Sequence, residues 1–317
     1  MSERARAVQA LAGIHHITAL ANDPRANVSF YQDVLGQRLV KRTVNFDDPN
    51  MHHLYYGDEI GSPGTILTFF PWPGLRRGRR GVGETAAVAY AVARDSLAYW
   101  RARLAAYDMP ATDGGERFGQ PVLIFEDVDG MPLELVGVET PPIVRPWSGG
   151  PVPAEHMLHG FFGVTLCVSA AEPTAMLLTD YFGYQLVDAE GQRLRFQATF
   201  GAPGAIIDLL VQPDSPGGRM GAGTVHHVAF RVPDEAAQTT VRERLVAAGL
   251  SVTPVRDRQY FRSIYFYEPG GVLFEIATDG PGMLIDETLT ELGSALRLPP
   301  WLEPYRAEIA QALPALG

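Results

Sequence analysis

Two histidine pairs and one acid are the residues in this chain whose types and spacing could do chemistry. His15-His16 leads into the apolar stretch Ile17-Thr18-Ala19-Leu20, and His226-His227 leads into Val228-Ala229-Phe230. Late in the chain Val272-Leu273-Phe274-Glu275-Ile276 carries one carboxylate inside an otherwise apolar run. Each stretch has the composition of a buried strand. A carboxylate in such a run is costly to bury without a partner, and a cation supplies one. Two neutral imidazoles and one carboxylate on separate strands would hold a divalent ion on one side and leave its other positions open. That donor set suits non-haem Fe(II), with Mn(II) as a substitute. A zinc hydrolase uses the same ligand types, so the donors alone leave the metal undecided.

The elements that must position these groups are repeated. Asp33-Val34-Leu35-Gly36-Gln37-Arg38-Leu39-Val40 resembles Asp180-Tyr181-Phe182-Gly183-Tyr184-Gln185-Leu186-Val187, and the same spacing carries His16-Ile17-Thr18 onto Gly163-Val164-Thr165. Ala87-Val88-Ala89-Tyr90 likewise matches His227-Val228-Ala229-Phe230, and Gly130-Met131-Pro132-Leu133-Glu134 matches Gly271-Val272-Leu273-Phe274-Glu275. The chain therefore reads as four copies of a strand–helix–three-strand module. The expected fold is α+β: four βαβββ modules paired into two lobes with strongly curved mixed sheets. Residues 1–150 would form the N-terminal lobe, 151–282 the C-terminal lobe, and 283–317 a helical tail acting as a clasp. Asp23-Pro24 and Asp234 read as helix starts, and Gly36, Gly183 and Gly249 as helix stops.

Across the four modules the histidine position reads His16, Ala87, Gly163 and His227. The acid position reads Thr68, Glu134, Asp208 and Glu275. If modules one and four share a cavity, the metal ligands are His16, His227 and Glu275, and the poor donor Thr68 stands where a fourth would be. Strict strand alternation turns His15 and His226 away from that cavity unless each strand carries a bulge.

The rest of the composition is that of an ordinary globular protein. A chain of 317 residues, 46% hydrophobic and 20% charged, is long enough for two cores. A net charge of −10 argues against nucleic acid or an anionic membrane as partner. The cluster Arg76-Arg77-Gly78-Arg79-Arg80 reads as a solvated loop, and the lone Cys167, in an apolar run, as a buried inert thiol. Residues 1–9 are polar with no apolar signal core, and no stretch approaches the ~20 apolar residues of a membrane span, so a cytoplasmic location is expected. His52-His53 reads as surface strand or pocket wall, and His156 and His159 as part of a linker between lobes.

With those residues in view, the chain resembles the vicinal-oxygen-chelate superfamily of glyoxalases, bleomycin-resistance proteins and extradiol dioxygenases. More narrowly, Gly13-Ile14-His15-His16-Ile17-Thr18, Lys41-Arg42-Thr43-Val44-Asn45-Phe46, His53-Leu54-Tyr55-Tyr56-Gly57-Asp58-Glu59 and Gly64-Thr65-Ile66-Leu67-Thr68-Phe69-Phe70-Pro71 look like the hydroquinone-type ring-cleaving dioxygenases. The resemblance implies Fe(II) held by His16, His227 and Glu275. It also implies His15, Thr18, His226, Arg258 and Tyr265 as catalytic residues around a hydroquinone or catechol that is opened with O2. A His or Tyr there would take a phenolic proton, and Arg258 or Tyr265 would stabilise oxyanion charge. Without the resemblance, Tyr265 reads as a packed strand aromatic and Arg258 as a solvated turn residue. A monomer and a homo-oligomer are both compatible. Two other classes remain open: a glyoxalase-type isomerase or lyase on Zn(II) or Ni(II), which usually wants a fourth carboxylate-type ligand, and a small-molecule-sequestering protein, which needs a pocket but no open metal.

Overall fold

The computed structural model describes residues 10–199 and 203–316; the polar segment 1–9, read above for its lack of a signal core, lies outside them. All four modules have the expected order. Module one is β1 (Ile14–Ala21), α1 (Pro24–Ser29), β2 (Arg38–Asn45), β3 (Asp48–Gly57) and β4 (Ile66–Pro71). Module two is β5 (Glu84–Ala93), α2 (Leu97–Ala106), β6 (Thr112–Arg117), β7 (Gln120–Glu126) and β8 (Pro132–Val138). Module three is β9 (Phe161–Val168), α3 (Glu172–Met176), β10 (Tyr184–Glu190), β11 (Arg193–Ala198) and β12 (Ile206–Val211). Module four is β13 (Thr224–Val232), α4 (Glu235–Ala247), β14 (Arg256–Asp257), β15 (Phe261–Tyr267) and β16 (Leu273–Pro281).

The helix punctuation follows the sequence. Asp23 accepts hydrogen bonds from the amides of Arg25 and Ala26 with Pro24 in the first turn, and Asp234 accepts from the amide of Ala237. Such caps satisfy amides that the helix itself leaves without acceptors. Gly36, Gly183 and Gly249 take φ of 69°, 73° and 86°, the left-handed region a helix stop requires. Phe30 and Val34, in the π-helical turn Phe30–Val34 that continues α1, Trp100 and Leu104 of α2, and Val241 and Leu245 of α4 are the buried faces laid against the sheets.

The two sheets are mixed and eight-stranded, but they do not follow the halves 1–150 and 151–282. One has the order β14-β15-β16-β13-β1-β4-β3-β2, the other β10-β11-β12-β9-β5-β8-β7-β6. Module one joins module four and module two joins module three, so each half of the chain gives one module to each sheet. The lobes expected from sequence are thus neighbours along the chain rather than sheets. The physical reason is that every module exposes the edge of its first strand, and any first strand offers an equivalent, self-complementary antiparallel edge. Both sheets then turn an apolar face into one core cluster that includes Ile17, Phe69, Val228 and Phe274 from one sheet and Val88, Leu133, Leu166 and Leu209 from the other.

The loops before β5 and β13 lace the sheets together through bridges Arg77↔Ala222, Arg79↔Arg219 and Val82↔Gly217. The arginine cluster is exposed as expected, yet its backbone is an interlock rather than a free loop. Cys167 is buried, and burial followed by the nearby Glu84 pushes its thiol pKa up. His156 stacks on Tyr99 with 4.1 Å between ring centroids, and His159 meets the Pro142 carbonyl at 2.9 Å. Neither therefore forms a ligand pair, which agrees with a linker role. The tail is helical at α5 (Arg306–Ala312) and is clasped to module one by the buried Lys41, whose ammonium meets Asp286 at 2.6 Å and also Glu287. Among the described residues no helix is long and apolar enough to cross a membrane.

Candidate metal centre

β1 and β13 meet antiparallel at the centre of their sheet. The ladder pairs His16 with Ala229, Ile17 with Val228 and Thr18 with His227. It is shifted by one residue between Ile14 and His16 on β1 and again beyond Thr18, where one residue of β13 is skipped. The extra residues are His15 and His226 themselves. Each is a β-bulge, which is how both members of a His-His pair work at one site despite strand alternation. The second sheet has the same two irregularities at Ala86 and Phe162, so the bulge belongs to the module and not to the histidines.

Ala229 also stands beside Glu275 on the parallel neighbour β16. His16 and Glu275 therefore flank Ala229 in one row, on strands ~4.8 Å apart, with only a methyl between them. His227, two residues before Ala229, projects from the same face. Into that gap the three long side chains converge. His227 Nε2 is 2.9 Å from Glu275 Oε2, His16 Nε2 is 3.5 Å from the same oxygen, and the two Nε2 atoms are 3.4 Å apart. All three residues are buried, and among the described residues they form the one group of His, Cys, Asp and Glu donors close enough to share an ion.

Hydrogen bonding tests whether these groups fit a cation. Glu275 Oε1 accepts from the Ser263 hydroxyl, but Oε2 is buried with no hydrogen-bond partner. His16 Nδ1 lies 2.9 Å from His15 Nδ1, and His227 Nδ1 lies 2.8 Å from His226 Nδ1. Each pair shares one proton. With that proton on Nδ1 of His16 and of His227, both Nε2 lone pairs face the unpartnered carboxylate oxygen, a meeting of acceptors that only a cation resolves. The tautomer is assigned from this network. Protonation states agree. Burial lowers the pKa of His227, lowers His15 well below its usual value, and takes His226 down to about 3, so these rings stay neutral. Burial opposes ionisation of Glu275, and its carboxyl lies well below the ordinary range only because His16 and His227 turn positive charge or N–H toward it, the place a bound cation would take. The site fits a divalent metal.

A cavity of about 470 Å³ opens over the cluster. Among the residues expected from sequence, His16, His226, His227, Arg258 and Tyr265 line it. Tyr265 pairs with Glu275 across β15 and β16 and so shares its face. Arg258 is half-buried rather than a solvated turn residue: Nε donates to the Tyr265 hydroxyl at 3.1 Å and Nη2 to Asp47 at 2.9 Å. His15 and Thr18 are not among the lining residues. His15 sits behind His16, edge-on to Phe261 with ring centroids 5.1 Å apart, and Thr18 bonds Thr68 at 2.7 Å.

Sequence reasoning passed over Tyr55, Asp47 and Ser263 here, and left His53 between surface strand and pocket wall; His53 lines the cavity. The Tyr55 hydroxyl lies 2.9 Å from His53 Nδ1, and with that hydroxyl as donor His53 Nε2–H donates to Thr68 Oγ1 at 2.8 Å. Thr68 Oγ1 also shares a hydrogen bond with Thr18 Oγ1 at 2.7 Å. The fourth module position is thereby committed to a hydrogen-bond chain. Asp47 holds Arg258, and Ser263 holds Glu275. Only the strand register brings three of them in: Tyr55 lies opposite Thr68 with His53 two residues before it, and Ser263 lies two before Tyr265.

The equivalent place in the second sheet carries no such cluster. Ala87 and Gly163 replace the ligand histidines, and both acids are neutralised. Arg117 meets Glu134 at 2.7 Å, and Arg195 grips Asp208 with Nε and Nη2 at 2.8 and 2.9 Å. A Cβ added at Gly163 would lie 2.0 Å from the Ile206 carbonyl oxygen.

A two-sheet assembly of βαβββ modules with paired-strand donors at one sheet's centre defines a metal-chelating fold class, and sequence comparison places the chain within it. The family model of the Glyoxalase/Bleomycin resistance protein/Dioxygenase superfamily matches residues 13–135 and 160–276, and the chain belongs to that superfamily. It is 46% identical over 301 residues to the Bacillus subtilis (strain 168) protein MhqO, provisionally named a ring-cleaving dioxygenase, with 95% of each chain covered. It is 33% identical over 312 residues to the chlorohydroquinone/hydroquinone 1,2-dioxygenase of Sphingobium indicum, again covering 95% of each. It superposes on the crystal structure of a Bacillus subtilis protein provisionally named a dioxygenase with a TM-score of 0.93 and 44% identity, over 97% of this chain and 98% of that one.

Proposed function

We propose that this protein is an Fe(II)-dependent dioxygenase that opens the ring of hydroquinone-like aromatics. The observation that carries the reading is the unpartnered Glu275 oxygen facing, from beneath, two imidazole nitrogens whose rings line a cavity, with Thr68 withheld from the same point. Relatives named for ring cleavage, one of them for hydroquinone itself, support it. His16, His227 and Glu275 would hold the iron, which when bound supplies the redox chemistry that joins O2 to an electron-rich ring.

The chain's own groups bind, orient and move protons. His226 accepts at Nδ1 from His227, so its Nε2 carries hydrogen; lining the cavity and kept neutral by burial, it offers that N–H to a substrate oxygen. Tyr265 accepts from Arg258 at its hydroxyl oxygen, which frees its own hydrogen for an oxygen that gains negative charge. Arg258, tied to Asp47, fixes the Tyr265 ring and adds positive charge beside it. His15 sets the tautomer of His16 from behind, and Thr18 closes the chain from Tyr55 that keeps Thr68 occupied. The buried floor keeps bulk water from the reacting ring.

The test is anaerobic reconstitution with Fe(II), elemental analysis and oxygen-electrode assay with hydroquinone and substituted hydroquinones. Retained iron with substrate-dependent oxygen uptake is expected. Retention of Zn or Ni with oxygen-independent turnover would move the protein to the isomerase and lyase class, and absence of any bound metal would leave sequestration.

A further inference from the structure

The cavity is much larger than the ring it is expected to hold. A pocket of about 470 Å³ lies in the range that accommodates drug-sized ligands, whereas hydroquinone has only a six-carbon ring and two hydroxyls. The surplus has one direction and one character. His16, Thr18 and Leu20 share a face of β1, so the cavity floor runs ~13 Å along the strand from the metal site to Leu20. Leu20 is paired with Phe70 on β4, and Trp72 and Leu75 follow in the next loop, with Met220 facing them from the loop before β13. Trp72 and Met220 are 54% and 46% exposed, an unusual placement for two large apolar side chains at the mouth of a pocket. Met51 joins the same wall, so two flexible thioethers flank the path.

The charges along this path are already matched. Arg258 and Asp47 are the lining residues with full charge apart from the histidines, and they are paired with each other at 2.9 Å. Within the lining an anionic or cationic substituent would find no free counter-charge, the guanidiniums of Arg76 and Arg219, unpaired among the described residues, lying outside the mouth, while a neutral apolar one would cover the exposed indole and thioether.

Resting on the dioxygenase reading above, we propose that the substrate class is a hydroquinone bearing an extended neutral hydrophobic substituent, an alkyl or alkenyl chain. The ring lies at the histidines and the chain lies along Leu20, Phe70, Met51, Trp72, Leu75 and Met220. Each pair of methylenes seated on this wall should tighten binding by about tenfold. A six-carbon chain only partly covered should then gain on the order of a hundredfold over hydroquinone.

Two measurements test this separately from the chemistry. Calorimetry on the metal-free protein compares hydroquinone, methylhydroquinone, hexylhydroquinone and a hydroquinone with a carboxylate-ended chain of the same length. Hexylhydroquinone should bind most tightly with a negative heat-capacity change, and the carboxylate should forfeit most of that gain. Trp72→Ala with Met220→Ser should collapse the ratio of hexyl to methyl affinity toward one. The Fe(II)-loaded enzyme should show the same ranking in kcat/KM, carried by KM. Equal binding of the hexyl and methyl compounds, or a ratio that the double variant does not change, overturns the proposal. Tight hexyl binding without oxygen uptake would instead overturn the dioxygenase reading and leave the hydrophobic path in place.

Discussion

At the scale of single residues, the centre is built from neighbours that hold each other. Replacing His16, His227 or Glu275 by Ala should abolish retention of Fe(II) on dialysis, read by elemental analysis, and bring oxygen uptake to background. A subtler test is His15→Leu, which keeps the contact with Phe261 but removes the acceptor behind His16. Orientation by a partner of this kind is worth roughly 10–100-fold in metal affinity, so a chelator competition should show a weakening of that order. An unchanged affinity would sink the role assigned to the Nδ1 pair. Tyr265→Phe keeps the ring and removes one donor, and a fall of roughly 10²–10³ in kcat with little change in KM is expected. Much of this was legible in the sequence, because His16, His227 and Glu275 sit at matching positions of a repeated module. Tyr55 was not, and His53 was left between surface strand and pocket wall, because an alternating His-x-Tyr on a half-buried strand reads the same whether it faces a cavity or solvent.

At the scale of elements, the caps of modules one and four and the glycine stops of modules one, three and four were readable because Asp, Pro and Gly act through local backbone chemistry. The bulges at His15 and His226 were not readable, since a one-residue shift depends on how two strands meet and leaves no mark on either alone. The tail shows the same limit. Its helical end was expected, but nothing in its own residues pointed to Lys41. That ammonium is fully buried against Glu287 and Asp286 while Arg38 reaches the Leu289 carbonyl at 2.6 Å and Arg42 receives the amide of Arg297 at 2.8 Å. Lys41→Met leaves the buried Glu287 carboxylate without its main partner and should destabilise by roughly 3–5 kcal/mol. The double change Lys41→Met with Glu287→Leu should recover most of that loss in urea unfolding. A single variant as stable as the parent would mean the clasp is held by packing at Val44, Leu298 and Ile309 instead.

At the scale of the whole molecule, buried imidazoles couple stability to pH. Burial lowers His15, His52, His53 and His227 and takes His226 to about 3, against an ordinary 6.5. Below that ordinary value the unfolded chain binds protons that the folded, metal-free protein refuses. Their contribution is complete above about pH 6.5 and is lost progressively as pH falls toward 3. Burial raises Glu84 to about 7 and Asp127 to about 6, which acts oppositely: the folded state holds protons there, so stability drops as pH climbs through that range. Burial raises Asp129 as well, and five rings outweigh three carboxyls, so the metal-free protein should have a lower urea midpoint at about pH 5 than at about pH 7.5. His226→Gln should flatten that slope; a midpoint that rises on acidification would contradict the burial account. Module number and order were also legible, while the partnering of one with four and two with three was not, because all four first strands present interchangeable edges. The inner duplication has a final consequence. At the counterpart of the metal position in the second sheet, the Ile206 carbonyl oxygen stands 2.0 Å from where residue 163 would need its first side-chain carbon, and guanidinium groups already hold both acids. Ala87→His with Gly163→His should therefore recruit no ion: ancestry doubled the scaffold, and packing has since closed the way back to twin reaction centres.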